Sequence, residues 1–252
     1  MGEPLTVSGL CGPLRIFQRV KGHRHSIDDA TTAWYALQKS PPVSKALDLG
    51  SGVGTVGLAV LWGSSEQTTL TCIEAQAVSI TLLRANIECN GLRDRVSVHH
   101  ADLRELNLPE KFPLITGSPP YFPAHTGVIP EDRQKAYARF ELRGDVGDYA
   151  KAAKRHLAEE GIFVYCFPDR QKHRGLQLVT EAGLKIVTVR EVIPRLGKEP
   201  LFSLYVARLS GAGPCVEEPP LIVRDGAGKL TPEMLAIRRS RGFGPEGCNL
   251  LE

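Results

Sequence analysis

Lys-Ala-Leu-Asp-Leu-Gly-Ser-Gly-Val-Gly-Thr-Val-Gly-Leu-Ala-Val, residues 45–60, is the stretch that decides the fold. A short apolar run ends in a glycine-rich turn, and an apolar run of helical character follows it. The glycines allow a tight turn and let the backbone approach a ligand closely. In open α/β sheets, ligands bind at the carboxyl ends of the strands. The stretch therefore predicts an α/β protein with a ligand site at this turn.

The residues around these glycines separate two classes of ligand. Gly52, Gly54 and Gly57 satisfy the dinucleotide pattern G-x-G-x-x-G, which keeps an NAD-dependent oxidoreductase open as an alternative. Asp48, inside the strand end, suits a cationic group better than a pyrophosphate, which needs helix N–H groups and no nearby carboxylate. The spacing of Gly50, Gly52 and Gly54 after this acid resembles the cofactor loop of S-adenosylmethionine (SAM) dependent methyltransferases. The turn therefore favours SAM as the cofactor.

Two further acids follow the next two predicted strands. Glu74 closes the β-rich run Thr69–Glu74, where acids of nucleoside-binding α/β folds bind the ribose hydroxyls. Asp102 comes just after the run 96–100, and in the methyltransferase pattern an acid at this place meets the adenine edge. The glycine loop and the two acids therefore predict one cofactor site, built from the ends of successive strands.

A rigid loop ends the fourth predicted strand. It reads Gly-Ser-Pro-Pro-Tyr-Phe, residues 117–122. Pro119 and Pro120 fix φ and remove two donors, so their carbonyls and the Ser118 hydroxyl face whatever binds there. The loop resembles the Ser/Asn/Asp-Pro-Pro-aromatic motif of SAM-dependent methyltransferases that act on planar amino groups. The resemblance implies that Ser118 and the Pro119 carbonyl accept from the target amine. It also implies that Tyr121 stacks on the base and that Phe122 packs beside it.

The segment before the glycine loop carries a second resemblance. Residues 15–30 alternate like a hairpin and lead into a helix. Four residues match the pattern of the bacterial tRNA (valine) adenine-N6 methyltransferases, namely Gln18, Arg24, Ser26 and Asp28, with Lys21 shifted by one place. The resemblance implies that Lys21 and Asp28 close the cofactor pocket. The alternative for Asp28 and its neighbour Asp29 is helix N-capping.

Two more segments resemble the same family. Arg139-Phe-Glu141 resembles its Arg-His-Glu, which implies that Arg139 contacts the substrate, and residues 219–233 resemble its closing strand and acidic turn. The resemblance covers residues 15–233. Residues 134–140 follow the Ser-Pro-Pro-Tyr loop closely, so we expect them to form a mobile flap over the base.

The remaining runs complete a Rossmann-like sheet of the class I methyltransferase fold. We predict seven mostly parallel strands with a C-terminal antiparallel hairpin, residues 185–193 and 201–207, and a helix over residues 139–159. The predicted organisation is an N-terminal lid of hairpin and helix (residues 1–40), a SAM-dependent methyltransferase core (41–210) and a partly flexible C-terminal extension (211–252).

The composition agrees with one globular protein and leaves a nucleic-acid partner open. A chain of 252 residues with 42% hydrophobic content buries one substantial core. The net charge of +3 permits nucleic acid as a partner without requiring it. The six cysteines form no C-x-x-C pair, which predicts reduced thiols and a cytoplasmic protein. We expect no signal peptide and no membrane span, because the N-terminus lacks a charged-then-apolar pattern and no apolar run approaches the length of a span. We expect no metal site, because the histidine pairs lack ligand spacing.

Ser118 departs from the tRNA family, whose pattern has Asn at this place. Ser-Pro-Pro-Tyr resembles instead the loop of cytosine-N4 DNA methyltransferases, so amino-group methylation survives the change. A serine hydroxyl accepts from an amine hydrogen, but its own hydrogen must then point elsewhere.

We therefore predict a SAM-dependent N-methyltransferase that acts on an exocyclic amine, first adenine N6 in tRNA or another structured RNA. The need for an accessory protein that supplies RNA binding stays open. The alternatives are a DNA amino-methyltransferase, a protein glutamine N-methyltransferase and a catalytically inactive SAM- or RNA-binding module. The glutamine enzymes usually carry an N-terminal helical domain, for which we expect too little room at the front of this chain.

Overall fold

The computed structural model describes residues 3–244, so Cys248 and the end of the predicted C-terminal extension lie outside the described residues. The strands in this part of the chain are β1 (Leu5–Cys11), β2 (Leu14–Arg19), β3 (Lys45–Leu49), β4 (Thr69–Glu74), β5 (Val96–His100), β6 (Phe112–Gly117), β7 (Leu157–Pro168), β8 (Lys185–Ile193), β9 (Phe202–Arg208) and β10 (Val216–Ile222). The helices are α1 (Ile27–Lys39), α2 (Thr55–Gly63), α3 (Ala77–Cys89), α4 (Arg133–Arg139), α5 (Val146–His156), α6 (Lys172–Glu181) and α7 (Pro232–Ser240).

The large sheet confirms the predicted fold class and adds one strand. Its order is β10-β8-β9-β7-β6-β3-β4-β5, and β1 pairs with β2 in a separate antiparallel hairpin. All neighbours in the large sheet are parallel except β9, which runs antiparallel to β7 and to β8. We predicted seven strands. The eighth is β10, which pairs parallel to β8 at the edge.

Two cores cover the two faces of this sheet. Side chains alternate along a strand, so neighbours such as Leu114 and Ile115 enter different cores. The first core contains side chains from α1, α2 and α3, and the second contains those from α5 and α6. With both faces covered, the carboxyl ends of the parallel strands remain available for a site.

The N-terminal hairpin lies earlier in the chain than predicted. We expected alternation over residues 15–30 to form the hairpin, but β1 supplies one of its strands and residues 20–26 form a loop. The loop is held by Gln18, whose Oε1 accepts from His25 N at 2.7 Å. The hairpin packs on α3, because Phe17 N donates to Asn86 Oδ1 at 2.7 Å and Arg15 N donates to Asn90 Oδ1 at 2.9 Å.

The predicted helix over residues 139–159 is wrong in extent. Residues 140–145 form a loop between α4 and α5. Asp145 caps α5 by accepting from Asp148 N at 3.1 Å, and Asp148 completes the capping box. Gly144 has a φ of +111°, which favours glycine and ends the loop. The sequence contains this capping box, but the helical periodicity of the apolar residues around it favoured one continuous helix.

The C-terminal part of the described chain joins the core. Glu218 of β10 accepts from Tyr35 Oη at 3.0 Å and pairs with Lys39 of α1. Pro219 and Pro220 follow within the same strand, where the register with β8 shifts between Glu218 and Leu221. After α7, Arg241 Nη2 donates to Leu10 O at 2.5 Å, so this segment contacts the N-terminal hairpin.

The cysteines of residues 3–244 are all free thiols. Cys11, Cys72 and Cys166 are buried, whereas Cys89 and Cys215 are exposed. Of the helices formed by these residues, none combines the length and apolar character required to cross a bilayer.

Candidate active site

A cavity of about 840 Å³ opens at the carboxyl ends of β3, β4, β6 and β7. Most of the predicted site residues line it: Asp28, Asp48, Gly50, Gly52, Glu74, Asp102, Ser118, Pro119, Pro120, Tyr121, Phe122 and Arg139. The structure therefore brings the glycine loop, both strand-end acids and the Ser-Pro-Pro-Tyr loop into one space. Lys21 and Gly54 are not part of its wall.

These two exceptions have physical reasons. Lys21 is exposed in the loop before α1. Gly54 has a φ of +97° and begins α2, and a Cβ on it would lie 2.7 Å from Leu83 Cδ1. The need for glycine at this position comes from backbone conformation and packing.

The turn at Gly50 and Gly52 forms the floor of the cavity. Both residues have left-handed φ values, +64° and +56°. A Cβ on Gly50 would lie 2.9 Å from Tyr149 Cζ and closer still to the Tyr149 hydroxyl. A Cβ on Gly52 would meet no atom within 4 Å, so it would project into the cavity. The backbone at Gly52 is therefore open to close approach by a ligand.

Asp48 lies beneath this turn and does not present a free carboxylate. Its Oδ1 accepts from Thr116 Oγ1 at 2.7 Å, and its Oδ2 accepts from Gly57 N at 3.2 Å. Burial raises the pKa of Asp48 to about 6 against the opposing effect of these hydrogen bonds. We predicted that this acid suits a cationic group near the turn, and Asp48 is part of the cavity lining. The contacts show that it also fixes the start of α2 and ties β3 to β6.

Glu74 and Asp102 stand at the ends of neighbouring strands, as predicted. Glu74 Oε2 accepts from Gly52 N at 2.8 Å, and its Oε1 accepts from Gln76 N at 2.6 Å. Burial raises the pKa of Glu74. Asp102 is half-buried and forms a bidentate pair with Arg104, at 3.0 Å from Nε and 2.6 Å from Nη2, which lowers its pKa. Glu74 thus braces the glycine loop.

The Ser-Pro-Pro-Tyr loop, residues 117–122, is called the target loop from here on. Its aromatic end forms backbone hydrogen bonds with residues 139–141 at the end of α4. Tyr121 N and Phe122 N both donate to Arg139 O, at 3.0 and 2.9 Å, and Glu141 N donates to Phe122 O at 2.8 Å. The rings of Phe122 and Phe140 lie 5.4 Å apart. The segment that resembles Arg-His-Glu therefore supports the target loop through its backbone, while the Arg139 side chain is exposed in the cavity wall.

A charged network under this pairing was not predicted. Arg174 of α6 forms a bidentate pair with the nearly buried Glu141, at 2.7 and 2.6 Å. Arg174 also donates to Gln171 Oε1 at 2.8 Å, and Gln171 Nε2 donates to Tyr121 O. The network fixes the backbone of the target loop from below. Residues separated this far along the chain carry no local signal, so the sequence did not reveal them.

Ser118 and Tyr121 meet one more unpredicted residue, Cys166 of β7. Ser118 Oγ lies 3.4 Å from Cys166 Sγ, and the Tyr121 hydroxyl lies 3.2 Å from the same sulfur. The Tyr121 hydroxyl also donates to Asp28 Oδ2 at 2.9 Å. This contact joins the start of α1 to the target loop.

At the start of α1 the two neighbouring acids make different contacts. Asp29 forms the capping box with Ser26, accepting from Ser26 N at 3.1 Å. Asp28 is therefore free to receive the Tyr121 hydroxyl, in addition to the Ser26 hydroxyl. Burial raises the pKa of Asp29 well above its usual range.

Helix α4, the predicted flap, covers one side of the cavity and is anchored. Gln134 is buried, and its Nε2 donates to Ser79 Oγ at 3.1 Å. Arg19 of the hairpin donates to Gln134 Oε1 at 3.2 Å and pairs with Asp132 at 2.7 Å. The flap is thus tied to α3 and to the hairpin at its start, and to the target loop at its end.

The charges of the cavity are segregated by depth. Its buried acids are Asp29, Asp48 and Glu74. Its exposed arginines are Arg24, Arg139, Arg143 and Arg170. None of these four arginines forms an ion pair with an acid within residues 3–244. The interior is therefore suited to a cation and the mouth to an anion.

The cavity fits SAM by size and donor set. Pockets for ligands of this size commonly enclose about 300–1,000 Å³. The bare Gly52 backbone provides a surface that a side chain would block, and buried carboxylates suit a sulfonium, an ammonium and ribose hydroxyls. The Tyr149 hydroxyl lines the cavity and has no hydrogen-bond partner among the described residues. No group of three or more metal-ligating side chains is assembled within residues 3–244.

Comparison with known proteins agrees with this geometry. Residues 23–140 match the family described as methyltransferase small domain. A predicted O-methyltransferase from Agrobacterium tumefaciens has a TM-score of 0.64 at 19% identity, covering 85% of this chain and 96% of that one. The complex structure of aTrm5 and tRNALeu gives a TM-score of 0.57 at 14% identity, covering 83% and 54%. These matches support a SAM-dependent methyltransferase with the class I fold, in agreement with the predicted enzyme class and cofactor.

Within this class the chain is similar to proteins named tRNA1(Val) (adenine(37)-N6)-methyltransferase. The one from Pasteurella multocida is 27% identical over 209 residues, which are 82% of this chain and 84% of that protein. The one from Cronobacter sakazakii is 28% identical over 164 residues, which are 63% and 66% of the two chains. The predicted resemblance is confirmed.

Proposed function

We propose that the protein transfers the methyl group of SAM to an exocyclic amino nitrogen, the N6 of an adenine in tRNA. The observation that carries this proposal is the position of the Ser-Pro-Pro-Tyr loop. Ser118 to Tyr121 line the same cavity as Gly50, Gly52 and Glu74, so target and cofactor would meet in one space. The loop type supports an amine target, because its carbonyl and hydroxyl oxygens accept from N–H groups.

The residues that would hold SAM are those around the glycine loop. Glu74 and the backbone at Gly52 would bind the ribose, and Asp102 or its backbone would meet the adenine edge. Asp28 and the buried acids would favour the positively charged methionyl end. When bound, SAM supplies an electrophilic methyl group on a cationic sulfur. Lys21 and Gly54 do not line the cavity, so neither is assigned a contact with SAM.

The chain's own contribution to the reaction is orientation and exclusion of water. An exocyclic amine is conjugated and weakly nucleophilic, so Ser118 and the Pro119 carbonyl would accept its hydrogens and aim its lone pair. Tyr121 and Phe122 would hold the plane of the base, which is worth about 1–3 kcal/mol per stacked base. No strong general base is required, because the proton can leave after methyl transfer. Rate enhancement then comes from proximity and electrostatics.

The substrate assignment to RNA rests on the cavity mouth and on the relatives. Four exposed arginines without ion pairs in the described chain suit the phosphates that flank a target base. The relatives from Pasteurella multocida and Cronobacter sakazakii carry tRNA in their names. A tRNA substrate would place the reaction in the cytoplasm.

The test is to incubate the purified protein with methyl-labelled SAM and separate pools of tRNA, ribosomal RNA, DNA and protein extract. Labelled pools are then digested and analysed by nucleoside and amino-acid mass spectrometry. We expect N6-methyladenosine in tRNA from the wild type and no label with Tyr121→Ala. Arg93→Ala serves as the matched control, because Arg93 is exposed and its ion pair within residues 3–244 is with the surface residue Glu88.

Other outcomes would overturn either the tRNA substrate or the methyl transfer itself. Label recovered as N4-methylcytosine in DNA or as methylglutamine in protein would overturn the tRNA proposal. SAM binding without transfer to any pool would favour an inactive binding module.

A further inference from the structure

A continuous row of polar contacts runs behind the target loop. Ser118 Oγ lies 3.4 Å from Cys166 Sγ, which lies 3.2 Å from the Tyr121 hydroxyl. The Tyr121 hydroxyl lies 2.9 Å from Asp28 Oδ2. Ser118, Cys166 and Tyr121 each bring one proton and can also accept, whereas a carboxylate can only accept. The row therefore has a direction, set by the Asp28 end.

The Tyr121 proton goes to Asp28. Hydrogen bonds to an ionised acceptor are roughly twice as strong as neutral ones, and thiol sulfur is a weak acceptor. Asp28 already receives the Ser26 hydroxyl and Asp29 N, so its two oxygens face donors only. The Tyr121 oxygen is then left as an acceptor toward Cys166.

The remaining protons follow from the first. Of its two oxygen neighbours, the Tyr121 oxygen lies nearer to Cys166 Sγ, at 3.2 Å against 3.4 Å for Ser118 Oγ, so the thiol is assigned as donor to Tyr121 and its sulfur as acceptor from the Ser118 hydroxyl. Burial raises the pKa of the Cys166 thiol to about 12, so its proton is retained. With its hydrogen directed into the protein, the Ser118 oxygen presents lone pairs to the cavity.

We propose that Cys166 is a positioning residue that fixes the Ser118 hydroxyl as a hydrogen-bond acceptor for the target amine. This inference rests on the proposed function. It explains how serine works in the place of asparagine. An asparagine carbonyl is an acceptor in any rotamer that points it at the amine. A free serine hydroxyl, in contrast, turns its hydrogen toward the nitrogen lone pair that must react. The row from Asp28 removes that choice.

Two substitutions of the cysteine test the proposal. Cys166→Ala removes the acceptor for the Ser118 proton, and Cys166→Ser replaces it with a hydroxyl that both accepts and donates. We expect Cys166→Ala to lower kcat roughly tenfold, as for a lost buried hydrogen bond, and Cys166→Ser to recover most of that loss. The assay uses unfractionated tRNA at saturating SAM, with the Kd for SAM expected to stay within about twofold of the wild type in both variants.

A second background separates positioning from packing. In Ser118→Asn, the acceptor no longer depends on the cysteine, so adding Cys166→Ala should change kcat by less than about twofold. The double variant contains the same void at residue 166 as Cys166→Ala. An unchanged kcat in the double variant would therefore show that the void alone does not slow the enzyme.

The outcomes are distinguishable from failure of the proposed function. If the wild type methylates no tRNA amine, the proposed function fails. If the wild type is active and Cys166→Ala matches it, or if Cys166→Ser is as slow as Cys166→Ala, the positioning role is overturned.

Discussion

Gly52→Ala and Gly91→Ala place the same methyl group on two backbones of similar conformation. The φ values are +56° and +66°, and a Cβ at either residue meets no atom within 4 Å. The cost to stability is therefore the left-handed strain alone, about 1–2 kcal/mol for each. For a protein of this size that lowers Tm by roughly 2–8 °C. We expect the two variants to lose similar stability.

Their effects on cofactor binding should differ. The methyl group of Gly52→Ala would project into the cavity, whereas Gly91 follows α3 and is not part of the cavity wall. Forcing an extra methyl group into a packed contact costs about 1–3 kcal/mol. This corresponds to a roughly five- to 150-fold weaker affinity for SAM. Gly91→Ala should bind SAM as the wild type does.

Calorimetric titration with SAM and thermal unfolding of the same three proteins measure both quantities. Gly50→Ala adds a contrast, because its Cβ would clash with Tyr149 and should cost more stability than either other variant. Equal SAM affinity of Gly52→Ala and Gly91→Ala would refute the assignment of this loop as the cofactor contact.

Three further predictions concern individual side chains. Tyr149→Phe should weaken SAM binding about two- to tenfold with little change in Tm, because its hydroxyl has no partner among the described residues; an unchanged Kd from titration would argue against a cofactor contact. Arg174→Ala leaves the nearly buried Glu141 carboxylate unpaired, so urea unfolding should show a loss of about 1–3 kcal/mol and the kcat should fall. Arg93→Ala, which breaks an exposed ion pair, should change neither the free energy of unfolding nor the kcat. His156 is held neutral, with Nδ1–H donating to Ala152 O at 2.8 Å and Nε2 accepting from Leu108 N at 3.0 Å. Burial lowers its pKa, so its contribution to stability is full above the unfolded pKa of about 6.5 and is lost as pH falls through the folded pKa. His156→Gln should therefore show a smaller drop in unfolding free energy between pH 8 and pH 5 than the wild type, and an equal drop would contradict this.

The cofactor loop and the target loop could be predicted because each is a local pattern at a strand end. Gly50 and Gly52 predict a turn with positive φ, and Pro119 and Pro120 predict a rigid loop. Parallel strands then bring such ends to one edge without any further information.

The support beneath these loops could not be predicted, because it joins residues far apart in the chain. Cys166 sits in an apolar run and resembles any other core residue. Its contact with Ser118 depends on the pairing of β6 with β7, in which Gly117 faces Tyr165. Arg174 meets Glu141 for a similar reason, through the packing of α6. Asp48 shows both sides: its place at a strand end could be predicted, but its hydrogen bonds to Thr116 and Gly57 depend on the packing of β3 against β6 and α2.

The two prolines of β10 lie at an edge of the large sheet. An exposed sheet edge invites a strand from another molecule, which is a common route to aggregation. Consecutive residues of a strand direct their N–H groups to opposite sides, so Pro219 and Pro220 together remove one donor from the outer side of this edge. The register shift at the same place interrupts any continuous ladder. Intermolecular sheet growth is therefore disfavoured on the β10 side, and replacing both prolines should favour it.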